Sequence, residues 1–189
     1  MRFVLMLMSA LIISSCSQNN SEEKSSPEAD LLVKISELET QVFNSAAVLN
    51  APKAKELYTL YIGYADNHLS SDSSAEFLFK AGELMIGTEE YEKAIGIFDR
   101  LVTNYPEYEK SPQASYLQGF IYDEYLDKKG KAKERYEAMI DAYPRHPLAN
   151  DARASIQLLG MSQEEILKML EEKNKDGAKS LGSNSVELD

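Results

Sequence analysis

Apolar side chains recur every three or four positions through most of residues 30–173, and polar side chains fill the positions between them. This spacing is the period of an α-helix with one buried face. The stretch 91–102 shows it clearly, because its apolar residues alternate at helical spacing with charged ones. The pattern predicts an all-α fold of about eight helices.

Turn and capping residues divide this helical stretch into segments. Gly87–Thr88 suits the end of one helix and the start of the next, and Ser111–Pro112 places a cap before a proline in the first turn. Ser162 and Glu165 form the pattern of a capping box. The first helix is predicted from Asp30 to about Asn50, and the helix after Ser162 is predicted to cap the end of the fold.

The sequence between residues 75 and 147 contains two copies of one helical hairpin pattern. The first copy carries a glycine, an alanine, two aromatic residues and a closing proline, at Gly82, Tyr91, Ala94, Phe98 and Pro106. The second copy repeats most of them as Gly119, Ala132, Tyr136 and Pro144. Small residues at these positions are needed where paired helices approach closely. The two prolines stand 38 residues apart, and the extra residues are expected in segments 107–112 and 127–130.

These positions resemble the tetratricopeptide repeat, whose period is about 34 residues. The position that is usually tryptophan in the family is Leu78 in the first copy and Ser115 in the second. The resemblance implies tetratricopeptide-type antiparallel helix hairpins stacked in a short right-handed superhelix. Ala54 and Tyr58 repeat the alanine–aromatic spacing of the first copy and indicate a degenerate repeat before it.

The resemblance also implies a concave groove lined by the first helix of each hairpin. The corresponding positions are Glu76, Phe79, Glu83 and Ile86 in the first copy, and Gln113, Tyr116, Phe120 and Asp123 in the second. Aromatic anchors surrounded by carboxylates suit a basic, partly apolar segment of a partner. The alternative is that Phe79 and Phe120 are core residues.

The N-terminus has the pattern of a secretory signal. Arg2 precedes the apolar run 3–13, which is too short to span a bilayer comfortably, since a spanning helix needs about 20 residues. The segment Ile13–Cys16 resembles the lipobox of bacterial lipoproteins, which implies lipidation of Cys16 and cleavage before it. An ordinary cleaved signal and an uncleaved anchor are the alternatives. Ser17, in place of aspartate, implies the outer membrane.

These features predict four regions. Residues 1–15 form a lipoprotein signal peptide, 16–29 the lipidated cysteine and a flexible tether, 30–173 the helical repeat domain, and 174–189 a polar tail. The formal net charge of −11 disfavours binding to nucleic acid. The single cysteine excludes an intramolecular disulfide.

The sequence offers no constellation of catalytic residues. His68 and His146 are the only histidines, and neither stands at metal-ligand spacing. The glycines of Gly82–Gly87 are spaced as in a phosphate loop, but Thr88 follows where lysine is required. We therefore expect no enzyme activity, no cofactor and no metal.

The expected function is that of a lipid-anchored scaffold that binds a protein or peptide in the cell envelope, on the periplasmic face of the outer membrane. Residues 50–160 resemble the BamD-like lipoprotein of the outer-membrane assembly machinery and the repeat domain of Tol-Pal coordinator proteins, which implies a role in outer-membrane protein assembly or envelope maintenance. A surface-exposed lipoprotein for adhesion or nutrient capture is the alternative, and an enzyme is a third, less favoured hypothesis.

Overall fold

The computed structural model of the chain describes residues 26–43 and 50–183, with side chains as far as residue 175. All regular structure in these residues is helical. The elements are α1 (Pro27–Phe43), α2 (Ala51–Asn67), α3 (Asp72–Gly87), α4 (Tyr91–Asn104), α5 (Ser111–Phe120), a π-helical turn (Ile121–Tyr125), α6 (Lys129–Ala142), α7 (Pro147–Leu158) and α8 (Gln163–Ser183). The prediction of an all-α fold is confirmed.

Consecutive helices pack as hairpins that stack on one another. The pairs α1–α2, α3–α4 and α5–α6 form hairpins, and α2, α4 and α6 each pack against the first helix of the next pair. One large hydrophobic cluster extends from α1 to the π-helical turn after α5, and a smaller one joins α6 to α7. Each hairpin thus buries apolar faces against its neighbours, as expected for a repeat stack.

Glycine permits the closest approach inside both clear hairpins. A Cβ atom at Gly82 would lie 2.3 Å from the Phe98 ring, and one at Gly119 would lie 2.5 Å from the Tyr136 ring. Both distances are too short for a carbon–carbon contact. The prediction that small residues allow the paired helices to approach is therefore confirmed at these glycines.

The two hairpins differ by one residue within their first helix. Glu89 and Asp127 are the only non-glycine residues of the described chain with positive φ (61° and 47°), and each stands five residues before the alanine of its repeat. Gly82 precedes Glu89 by seven residues, whereas Gly119 precedes Asp127 by eight. The π-helical turn absorbs this extra residue, since the Leu126 amide donates to the Ile121 carbonyl at 3.1 Å. The extra residue was expected in segment 127–130, but the π-helical turn accommodates it instead.

Two kinds of hydrogen bond recur in the turns between hairpins. The Tyr105 hydroxyl donates to the Leu69 carbonyl at 2.8 Å, and the Tyr143 hydroxyl donates to the Pro106 carbonyl at 3.2 Å. The Ser111 hydroxyl donates to the Tyr105 carbonyl at 2.6 Å, as Ser74 does to His68. The tyrosine of each Tyr-Pro pair therefore ties its turn to the preceding one.

The two ends of the helical stack differ from expectation. Helix α1 begins at Pro27, within the predicted tether, and α8 continues to Ser183, within the predicted polar tail. Residues 44–49, predicted to finish the first helix, lie outside the described residues. None of the described helices combines the length and apolar character needed to cross a membrane.

Contrary to the prediction, helix α8 does not close the end of the stack. Leu167 is 62% exposed and Leu170 is 47% exposed, and no other helix packs closely along α8 in the described chain. Gly160, with φ of +80°, redirects the chain after α7. The prediction that α8 buries Leu167 and Leu170 as a cap is therefore wrong.

Candidate partner-binding cleft

In the first copy, Phe79 belongs to the core. Its side chain is only 2% exposed, and its ring centroid lies 5.9 Å from that of Phe98 in the same hairpin. The Lys110 ammonium lies 5.1 Å from the centroid of the same ring. The expectation that Phe79 is an anchor free of packing within its hairpin is wrong, because the ring fills space between α3 and α4.

The acidic residues around Phe79 are engaged by neighbouring side chains. Lys80 pairs with Glu76 at 3.0 Å and with Glu39 of α1 at 2.9 Å, and the Tyr61 hydroxyl donates to Glu39 at 2.7 Å. Partial burial disfavours the charged ammonium, but hydrogen bonds to the two carboxylates raise the pKa of Lys80 overall. The Lys80–Glu39 ion pair ties α3 to α1, whereas the Lys80–Glu76 pair lies within α3.

The other two residues predicted from the first copy are Glu83 and Ile86. Partial burial raises the pKa of Glu83, against the opposing charges of Lys110 and Lys80. Ile86 is half-buried and packs against the large hydrophobic cluster. The first copy therefore offers no open aromatic surface of the predicted kind.

In the second copy, three of the four predicted groove residues converge on one cleft. Tyr116, Phe120 and Asp123 line a cavity of about 540 Å³, together with Leu158 of α7 and Ile166 of α8. Both aromatic side chains are half-buried. Gln113, the fourth predicted residue, is exposed on α5 and does not line the cavity. We call this cavity the α5–α8 cleft.

Tyrosine side chains fix the aromatic lining of the α5–α8 cleft. Tyr116 lies 5.3 Å from Tyr136 of α6 between ring centroids, and it shares a 3.3 Å hydrogen bond with Ser155 of α7. Phe120 meets the edge of Tyr125 at 5.8 Å, and Tyr125 stacks on Tyr91 of α4 at 4.5 Å. The lining is thus anchored to α4, α6 and α7.

The π-helical turn forms one side of the cleft. Turns of this kind inside α-helices occur frequently at functional sites. Asp123 and Glu124, both in this turn, line the cavity. Sequence reasoning missed the turn, although the additional residue between Gly119 and Ala132 was a visible signal of it.

The opposite side comes from α7 and the start of α8, and sequence reasoning did not assign it. Leu158, Glu165 and Ile166 belong to this wall. The Glu165 carboxylate accepts from the Ser162 amide at 2.7 Å, and the Ser162 hydroxyl accepts from the Glu165 amide at 3.2 Å. The predicted capping box is therefore confirmed, and its hydrogen bonds lower the pKa of Glu165.

Carboxylates outnumber cations around the cleft. Asp123 pairs with Lys129 at 2.7 Å, and this hydrogen bond raises the pKa of the lysine despite some desolvation. Glu124 is exposed and makes no ion pair within the described residues. Counting Glu165, three carboxylates face one ammonium group. The apolar floor therefore has an acidic rim.

The structure also places the two histidines and the side chains that could bind a metal. No group of three or more histidine, cysteine, aspartate or glutamate side chains is placed there to hold a metal. His68 stacks on Tyr64 at 4.2 Å, and the His146 side chain accepts from the Leu148 amide at the start of α7. Cys16 lies outside the described residues.

Comparison with known protein families identifies the repeats. The tetratricopeptide repeat model matches residues 76–108 and 113–146. Comparison with curated proteins gives no match. The chain therefore contains two adjacent tetratricopeptide repeats, which coincide with α3–α4 and α5–α6 and are separated by residues 109–112. Repeats of this class form stacked helical scaffolds for binding proteins or peptides.

Proposed function

We propose that this protein is a lipid-anchored scaffold of the bacterial cell envelope that binds a protein partner through the α5–α8 cleft. The observation that supports the proposal best is the cleft itself, where half-buried aromatic rings remain open at the end of a repeat stack. Aromatic side chains in partly desolvated pockets commonly supply most of the binding energy of an interface.

The proposed anchor is the lipid on Cys16. The lipobox resemblance of Ile13–Cys16 supports it, together with the preceding apolar run. Ten residues, 17–26, separate Cys16 from the first helix. A segment of that length reaches at most about 35 Å. The scaffold would therefore work close to the membrane surface.

The proposed location is the periplasmic face of the outer membrane, and the proposed role is outer-membrane protein assembly or envelope maintenance. Ser17 supports the location, and the resemblance of residues 50–160 to BamD-like and Tol-Pal coordinator repeats supports the role. The partner would be an envelope protein that presents a basic, partly apolar segment, since the cleft has an acidic rim.

Two measurements test the anchor and the orientation. Wild-type protein should incorporate labelled fatty acid and sediment with membranes, whereas Cys16→Ser should do neither. Unlabelled wild-type protein would refute lipidation. Protease added to intact cells should leave the protein uncleaved, and rapid cleavage would favour a surface-exposed lipoprotein instead.

Partner recovery tests the scaffold. Lipidated wild-type protein, purified from its own membranes in mild detergent, should recover a specific envelope protein. Phe120→Ala should recover less of it while the variant stays folded at the assay temperature. Absence of any specific partner from wild-type preparations would refute the proposed function.

A further inference from the structure

The last helix of the stack lacks the neighbour that every earlier hairpin provides. Helix α3 packs along α4, and α5 packs along α6, but α7 and α8 do not pack closely along each other. The left-handed Gly160 separates them. One side of α7 is consequently free at the position where a hairpin would place its second helix.

The apolar lining of the α5–α8 cleft continues beyond the cavity. Ile166 lines the cavity, and Leu170 lies one helical turn further along α8 on the same face. Leu170 is 47% exposed. Phe120, Leu158, Ile166 and Leu170 therefore form an elongated apolar strip. A strip of this shape suits a segment with several apolar side chains better than a compact small molecule.

We propose that a basic amphipathic helix of the partner protein docks on this strip, between α5, the end of α7 and the start of α8. The proposal rests on the proposed function and specifies the chemistry of the partner. Apolar side chains at helical spacing would pack on Phe120 and Leu158, as in other helix-in-groove complexes.

The carboxylates around the apolar strip favour a basic helix over an acidic one. Asp123, Glu124 and Glu165 border the apolar strip, and Lys129 is engaged with Asp123. Glu124 has no cation within the described residues. Lysine or arginine side chains flanking the apolar face of the incoming helix would complement this rim, and acidic side chains would be repelled.

Three labelled 16-residue peptides test the proposal against full-length lipidated protein in non-ionic detergent. The first carries leucines at helical spacing with lysines elsewhere, the second replaces the lysines with glutamates, and the third replaces the leucines with serines. Fluorescence anisotropy should show the first peptide binding at least about tenfold more tightly than either of the others.

Matched variants locate the binding. Phe120→Ala and Glu124→Lys should each weaken the first peptide at least about fivefold. Glu134→Lys makes the same charge change on the exposed face of α6, where it has no ion pair in the described chain, and should change binding less than about twofold. Glu124→Lys breaks no hydrogen bond or ion pair of the described residues, so it remains informative if Phe120→Ala folds poorly.

Equal effects of Glu124→Lys and Glu134→Lys would overturn the proposal, because they would indicate attraction to net charge alone. Equal binding of the lysine and glutamate peptides would also overturn it. Light scattering that shows a dimer, dissociated by Leu170→Ser, would assign the strip to a second copy instead. If the peptides fail to distinguish the variants while wild-type protein still recovers an envelope partner, this inference fails and the proposed scaffold function stands.

Discussion

Replacing Gly82 with alanine probes the closest helix contact of the first repeat. The new Cβ atom would lie 2.3, 2.5 and 2.8 Å from three carbons of the Phe98 ring. Phe98 is fully buried and packs beside Phe79. The ring therefore cannot yield without disturbing the core between α3 and α4.

The size of the effect follows from two opposing contributions. Overpacking a close-packed core costs about 1–3 kcal/mol. Alanine is favoured over glycine inside a helix by about 0.5–1 kcal/mol. Gly96→Ala in α4 isolates this second contribution, because nothing lies within 4 Å of a Cβ atom there. Gly82→Ala should therefore be less stable than Gly96→Ala by about 1–3 kcal/mol.

Urea unfolding followed by circular dichroism measures this difference. At about 2–4 °C per kcal/mol, melting temperatures of the two variants should differ by several degrees. Gly119→Ala should behave like Gly82→Ala, because its Cβ atom would lie 2.5 Å from Tyr136. Equal stability of Gly82→Ala and Gly96→Ala would refute the close approach.

Three further predictions concern packing, the polar network and pH. Phe79→Ala should lower the free energy of unfolding in urea by about 3–5 kcal/mol. Phe120→Ala should lower it clearly less, since only the Phe79 ring is fully buried. Equal losses for the two variants would contradict this difference in burial. Asp99→Ala should cost about 1–2 kcal/mol, because its carboxylate accepts from buried Gln118 at 2.9 Å and pairs with Arg135. An unchanged melting temperature would show that these bonds contribute nothing. Burial, followed by the charges of Glu76, Glu109 and Glu83, raises the pKa of Tyr108 to about 12, above the unfolded value of about 10. The resulting stabilisation is complete below about pH 10 and declines as pH rises toward 12. Tyr108→Phe should therefore lose less stability than the wild type between about pH 9 and 11. Identical losses for the two proteins would contradict this.

The hairpins were predictable because their sequence signals are local. Glycine in one helix and an aromatic ring in the next are placed opposite each other by the turn between them. Gly82 with Phe98, and Gly119 with Tyr136, therefore gave the correct pairing without further information. The fold class followed from the same positions.

The candidate site was less predictable because exposure depends on neighbouring hairpins. Phe79 and Tyr116 occupy the same repeat position, yet Phe79 is buried while Tyr116 lines an open cleft. A repeat position specifies which face a side chain occupies, but the helices on either side decide whether that face is covered. Phe79 lies within the stack, whereas Tyr116 lies near its end.

The packing of α8 could not be predicted from the hydrophobic pattern either. Its apolar residues predict one buried face, and the pattern does not state what covers that face. The backbone at Gly160 decides that α8 leaves the end of the stack instead of packing along α7. The turn at Gly160 contributes one wall of the α5–α8 cleft, and the π-helical turn contributes the other.

Photo-crosslinking in cells that produce the lipidated protein tests the central claim most directly. A photoreactive amino acid at position 120 should crosslink one envelope protein, and the same amino acid at position 134, on the exposed face of α6, should not. Crosslinks of equal yield from both positions, or none from position 120 while the partner still copurifies, would contradict binding through the α5–α8 cleft.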